Sequence, residues 1–267
     1  MSAEPDRLSP RAYHDRTKHQ LDRYAAGPGT LDWDAQPDPF RRYADCPEFP
    51  LALTTAPGTV SFGDLHGPGA ITPAPVDRAG VGRLLEVALG LSAWKQYGPD
   101  RWALRCNPSS GNLHPTEGYV VSRGLPDLPD GVYHYRPDQH QLEQRAGFSE
   151  AATGSAPAVL LGLSSIHWRE AWKYGERAYR YCQLDVGHAL AALAYGAALL
   201  GWRLRPLTEW PDAEVARLLG VDQPTGGAEP EHPDLLLAIE APGVASPSDA
   251  KSWQAWAAAA IWRGRPN

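Results

Sequence analysis

Three stretches of the chain carry residue types suited to chemistry. The first is "CNPSSGNLHPTEGYVV", Cys106 to Val121, which crowds a proline, two serines, a glycine and an asparagine ahead of Tyr119, Val120 and Val121. That order predicts a turn opening a short helix, then the start of a strand, because Ser and Asn cap free backbone N–H groups while Pro and Gly punctuate. A hydroxyl-bearing turn between the basic "RWALR" (Arg101 to Arg105) and a buried strand could hold a flat polar ligand. The same residues also suit an ordinary capped turn.

The second stretch is "WREAWKYGERAYRY", Trp168 to Tyr181, in which Arg169, Lys173, Arg177 and Arg180 are interleaved with Trp172, Tyr174, Tyr179 and Tyr181. Cations and phenols together can grip an anionic aromatic ligand. The alternative is a solvated helix entrance whose long stems cover apolar surface. The third, "LGWRLRPLTEWPD" (Leu200 to Asp212), is interrupted by Pro206, so backbone N–H groups near Thr208 and Glu209 are candidates to face a ligand. Other chemistries lack their signatures: there is no G-x-x-x-x-G-K-[ST], no G-x-S-x-G, and "GPGAIT" at Gly67 has no third glycine for a dinucleotide turn. None of the 9 histidines has a partner four residues away, so no metal site is expected.

The elements that must position these residues follow from composition and periodicity. With 267 residues and 43% hydrophobic content, the chain can bury a full core. Gly and Pro, 26 each, make it rich in loops. A net charge of −6 with scattered basic residues argues against a nucleic-acid partner. Cys46, Cys106 and Cys182 are too few and too far apart for a disulfide framework, which points to a reducing cytoplasm. The polar N-terminus has no secretory character. The apolar run Val186 to Trp202 contains His188 and is too short to span a bilayer, so it predicts a buried helix and no membrane association.

Residues 1–75 read as an extended arm with one short helix, and residues 76–267 as the main domain. Asp77 can cap a helix in which Val81, Leu84, Leu85, Ala88 and Leu89 recur at three-to-four spacing until Gly90. Strands are expected at Gly118–Ser122, Val132–Tyr135, Gln141–Gln144, Ala158–Ser164 and Leu235–Glu240, with a hairpin turn at Pro137 and Asp138. The longest helix is expected over Tyr179–Leu200, lined by alanines that permit close approach of a backbone or a planar ligand. "EWPDAEVARLLGV" and "SWQAWAAAAIWRG" read as two more helices. Helices first, then scattered strands with helices between, give an α+β class with a mainly antiparallel sheet.

In order and spacing, "PSSGNLHPTEGYVV", "GVYHYRPDQHQLE", "KYGERAYRYCQLDVGHALAALAYGAALLGW" and "LRPLTEWPDAEVARLLGV" resemble the nitroreductase-like flavoproteins, specifically the SagB-type dehydrogenase branch. The resemblance covers roughly Asp77 to Glu240. It implies an FMN-binding α+β sandwich, a central sheet flanked by helices, usually a dimer with the flavin at the interface. It places Pro108, Ser109, Ser110 and Asn112 on the flavin, often that of the opposite subunit, and a backbone N–H of Thr208 or Glu209 near flavin N5. It matches Lys173-Tyr174 to the Lys-Tyr pair tied to catalysis in azoline-oxidising members. The implied reaction moves hydride between flavin N5 and a small-molecule or peptide substrate. One departure stands out: where members with the usual phosphate clamp carry Arg-Arg-Ser-x-Arg, this chain has "GDLHGPGAITPAP". Arg105 is the expected substitute, with Arg16, Lys18, Arg263 and Arg265 as further candidates. The chain also resembles the first half of tandem members, so a homodimer or pairing with a sister domain is expected. The rival reading is a flavin-free scaffold or dimerisation partner.

Overall fold

The structure is a computed structural model that describes residues 9–55, 58–67, 69, 71–148, 157–245 and 250–267. Its helices are α1 (Pro10–Thr17), α2 (Arg78–Ala88), α3 (His167–Tyr174), α4 (Ala178–Leu199), α5 (Asp212–Leu219) and α6 (Ala250–Ala259). Its strands are β1 (Tyr43–Ala44), β2 (Glu48–Pro50), β3 (Leu91–Tyr97), β4 (Asp100–Arg105), β5 (Thr116–Arg123), β6 (Gly131–Arg136), β7 (Gln141–Gly147), β8 (Ala158–Ser165), β9 (Arg203–Pro206), β10 (His232–Glu240), β11 (Ile261–Trp262) and β12 (Arg265–Pro266).

The main sheet runs β11-β7-β6-β5-β8-β10-β9, with β2 also joined to β7. All of its described pairings are antiparallel. Side chains alternate across each strand, so the sheet separates two cores. Val120, Leu161 and Leu163 face α2 and α4 together with Leu84, Leu85, Ala189, Leu193 and Ala197. Tyr119, Val121 and Leu160 face α5 and α6, where Val215, Leu218, Leu219 and Trp253 complete the second core. The α+β sandwich expected from the sequence is the fold of the chain.

Helix α2 starts as its sequence predicts, since the Asp77 carboxylate accepts from the Gly80 N–H at 2.7 Å. The small residues of α4 have one clear use in packing. A Cβ on Gly196 would fall 2.9 Å from Leu84 Cδ1 and 3.1 Å from Val87 Cγ2, so glycine lets α4 approach α2 closely. The other side of α4 is uncovered, and it exposes Leu184, His188, Ala191, Tyr195 and Leu199.

Two features depart from the sequence reading. Residues 91–105 form the separate β3–β4 hairpin, which the sequence hid because its outward residues are mixed aromatic, polar and charged. Residues 43–50 do not simply extend over the surface: β1 pairs with β12, and β2 joins the main sheet on β7.

Candidate functional site

The candidate site forms where α3, the start of α4 and the turn at residues 108–112 meet. Helix α3 leaves β8 and is anchored at its first turn by Arg169, which is buried and donates to the His114 carbonyl at 2.6 Å and to Glu117 at 2.5 Å. Glu117 also meets His134 at 3.0 Å, and the other His134 nitrogen meets Glu143 at 3.0 Å. Burial alone would raise the Glu117 pKa, but Arg169, the His134 hydrogen bond and Arg105 hold it far below the usual carboxylate range. Burial likewise disfavours a charged His134, yet Glu117 and Glu143 raise its pKa. This network fixes the helix that carries Lys173 and Tyr174. Gly175, at φ 55, ends the helix straight after them.

The turn is tied to the same place. The Ser110 N–H points at both Asp185 oxygens at 3.3 Å, Ser109 Oγ accepts from the His114 N–H at 2.9 Å, and the Asn112 N–H reaches the Ser109 carbonyl at 3.2 Å. Gly111 takes a left-handed φ of 68°. A Cβ there would lie 2.8 Å from Lys173 Nζ and 2.9 Å from Tyr174 Oη. The absent side chain of Gly111 is therefore what lets the amine and the phenol converge on the turn. Pro108 is exposed, Ser109, Ser110 and Asn112 are half-buried, and the Asn112 side chain has no hydrogen-bond partner among the described residues.

Beneath Lys173 and Tyr174 lie two buried carboxyl groups, Glu170 on α3 and Asp185 on α4. Burial first, then the charge of Asp185, pushes Glu170 up to about 9 against the pull of Lys173. Burial also raises Asp185, although the hydrogen bonds from Ser109 and Ser110 oppose the shift. The Tyr174 phenol is raised by burial and by Glu170. Sequence reasoning placed neither carboxyl in the site: it weighed Glu170, with Glu176, only as a surface ion-pair partner of Lys173. Their only signal was an acid at positions where α3 and α4 turn inward.

The other sequence candidates are placed differently. Arg105 is turned inward: it donates to the Thr116 carbonyl at 3.1 Å and the Pro39 carbonyl at 2.5 Å, and lies 4.0 Å from Glu117. Thr208 and Glu209 lie in an exposed turn after β9, and Glu209 Oε1 is 4.0 Å from Arg205. Among the described residues neither has a hydrogen bond or ion pair to the 108–112 turn. Of the substitutes, Arg16 pairs with Glu176 at 2.9 Å, Lys18 with Asp15 at 2.8 Å and Arg265 with Asp45 at 3.0 Å, while Arg263 is exposed.

The basic-aromatic stretch is divided among several tasks. Arg169 serves the interior, and Lys173 faces the turn. Arg177 lies over the Tyr174 and Tyr181 rings at 5.4 and 5.5 Å and donates to His19 Nε2 at 2.9 Å. Arg180 donates to Thr17 Oγ1 at 2.9 Å and to the His14 carbonyl at 3.1 Å. The arm thus covers the junction of α3 and α4. Tyr13 reinforces it by donating to the Glu176 carbonyl at 2.7 Å and accepting from the Arg180 N–H at 3.2 Å. Farther along, Trp172 Nε1 donates to the Asp32 carbonyl at 2.7 Å.

Residues 71–233 match the Nitroreductase family. The chain belongs to that family. A protein of Methanocaldococcus jannaschii described as a nitroreductase is 27% identical over 151 residues, which are 52% of this chain and 72% of that one. A crystal structure of a family protein from Anabaena variabilis superposes with a TM-score of 0.65 at 29% identity, covering 86% of this chain and 45% of that one. This chain therefore spans less than half the length of that relative. A second structure, from Ralstonia eutropha, shares the fold at a TM-score of 0.53 and 20% identity, over 74% of this chain and 90% of that one. Membership of that family suggests a flavin-dependent oxidoreductase.

Proposed function

We propose that the chain is an FMN-dependent oxidoreductase of the SagB-type dehydrogenase branch, moving hydride between flavin N5 and a small-molecule or peptide substrate. One observation carries this reading: Lys173 Nζ and Tyr174 Oη converge on Gly111, at the centre of the turn expected to touch the flavin. The donor set suits a flat ring with polar edges. A glycine gives close backbone approach, Asn112 holds an uncommitted side-chain amide, and buried polar ring edges need such partners. Pro108, Ser109, Ser110 and Asn112 would hold the ring, with the Thr208 and Glu209 amides at a second edge. Bound there, FMN supplies a two-electron hydride donor and acceptor.

The chain's own residues do the rest. Lys173 takes or returns the proton on the atom beside the reacting carbon, and Tyr174 orients that atom through its hydroxyl. Arg105 holds the fold instead of the phosphate, because both terminal nitrogens of its guanidinium are committed to backbone carbonyls. The phosphate then falls to cations outside the network, among which Arg263 is exposed, or to those of a second chain.

A second chain is part of the proposal. Gly111 is exposed, and cavities of about 340, 530 and 630 Å³ lie elsewhere, so the turn presents an open face. The uncovered face of α4 offers Leu184 and Tyr195, 53% and 52% exposed, for pairing with another copy or with a sister domain of the same fold. The three free cysteines suit a reducing cytoplasm. Among the described residues no helix is long and apolar enough to cross a membrane.

Size-exclusion chromatography with light scattering and flavin absorbance on one column tests cofactor and assembly together. The expected result is flavin eluting with a particle of twice the chain mass. Flavin on a particle of single-chain mass, or no flavin with the protein, contradicts the proposal.

A further inference from the structure

Glu170 has no stated role in the chemistry above, yet its setting is unusual. It is 0% exposed, and neither carboxyl oxygen has a hydrogen-bond partner among the described residues. Asp185, 1% exposed, differs in that the Ser110 N–H supports its charge. A buried ionised carboxylate without protein donors costs far more than a neutral acid, whereas N–H donors favour the ionised form. With one proton between two coupled carboxyls, the geometry puts it on Glu170 and leaves the negative charge on Asp185.

The location gives that proton a consequence. Glu170 is three residues before Lys173 and four before Tyr174, so all three share one side of α3. An ionised Glu170, with a negative charge and two acceptor oxygens, would draw Lys173 Nζ from Gly111; a neutral one lacks that charge. We propose that Glu170 is a positioning residue which keeps its proton through neutral pH, so that Lys173 stays directed at Gly111 and the reacting groups. The catalytic side of this inference rests on the oxidoreductase reading; the proton on Glu170 does not.

The groups facing Glu170 are consistent with one ionised acid beside it. From α3 these are Lys173 and Tyr174, and from α4 they are Cys182 and Asp185; Tyr181 acts on Tyr174 and His188 on Asp185. Asp234 of β10 stands behind Cys182, and Arg177 acts on Tyr174 from the segment joining the helices. Burial and the Asp185 charge dominate, placing the Glu170 transition at about 9.

Infrared spectroscopy and NMR on protein without added flavin test the inference independently of activity. In wild type, one buried carboxylic-acid carbonyl band should be present at pH 7, shift in D2O, and convert to carboxylate with a midpoint near 9. It should be absent in Glu170→Gln, and Asp185→Asn should lower its midpoint. Only four lysines occur in the chain, Lys18, Lys95, Lys173 and Lys251, so 13C-methylation gives few signals, and Lys173→Arg identifies the one from Lys173. That signal should follow the same alkaline transition in wild type and not in Glu170→Gln. A wild-type spectrum without the band, or a band retained in Glu170→Gln, overturns the protonated Glu170. A band present but with no matching Lys173 shift overturns its positioning role. If both signals behave as expected yet no flavin binds, the oxidoreductase reading fails, and the catalytic part of the inference with it.

Discussion

Glu117→Ala should lower the stability of the protein by about 3–5 kcal/mol, enough to leave much of it unfolded at ordinary temperature. The carboxylate is fully enclosed and faces Arg169 at 2.5 Å, His134 at 3.0 Å and Arg105 at 4.0 Å. Removing it leaves two buried guanidinium groups without their counter-charge and His134 with one carboxylate fewer. The loss also reaches the site, because the Arg169–Glu117 contact fixes the first turn of the helix that presents Lys173 and Tyr174. Urea unfolding followed by circular dichroism measures the change. A midpoint within error of wild type would show that the network contributes nothing net.

The same group sets an acid limit. The folded-state pKa of Glu117 is depressed, so its stabilisation is complete above the unfolded value and is lost as pH falls through the folded one. Wild-type stability should therefore fall as the medium is acidified below the ordinary carboxylate range. In Glu117→Gln, which cannot titrate, that slope should be shallower.

Lys173→Ala and Tyr174→Phe carry the second large effect. If these groups move and direct the proton at the reacting atom, each variant should lose about 10²–10⁴-fold in the rate of flavin reduction by substrate. FMN affinity should change much less, because the turn backbone stays in place. Rapid-mixing measurement of flavin bleaching, with reoxidation measured separately, distinguishes the two half-reactions. Wild-type rates for both half-reactions in both variants would remove the pair from the mechanism.

Some of this could be read in advance. Asp77, Gly90 and the spacing of Val81, Leu84, Leu85 and Ala88 defined α2, and the spans expected for β5, β6, β7, β8 and β10 agree with the structure to within three residues at each end. These signals are local, since caps, turns and periodicity act between near neighbours. The turn and the Lys-Tyr pair were individually visible, but their meeting at Gly111 was not, since it joins segments about 60 residues apart through a long-range contact. Arg169 illustrates the limit. It stood in a basic-aromatic stretch and resembled a surface cation, but its partner Glu117 lies 52 positions away. Arg105 is a similar case, since the carbonyls of Pro39 and Thr116 to which it donates are brought to it only by the folded arm and sheet. The covering arm was the least legible part: Asp32 and Trp172 are 140 positions apart, and nothing in either segment names the other.

The most direct test of the central claim compares FMN binding by wild type and Gly111→Val, followed through flavin fluorescence in chain preparations of equal thermal stability. A valine at φ 68 is strained, and its Cβ would sit 2.8 Å from Lys173 Nζ and 2.9 Å from Tyr174 Oη. The flexible lysine can move aside, but the tyrosine ring and the turn backbone must shift together. The account predicts saturable binding by wild type and at least about tenfold weaker binding by Gly111→Val, a loss of ~1.4 kcal/mol or more. Equal dissociation constants, or no binding by wild type at protein concentrations up to about 100 μM, would contradict it.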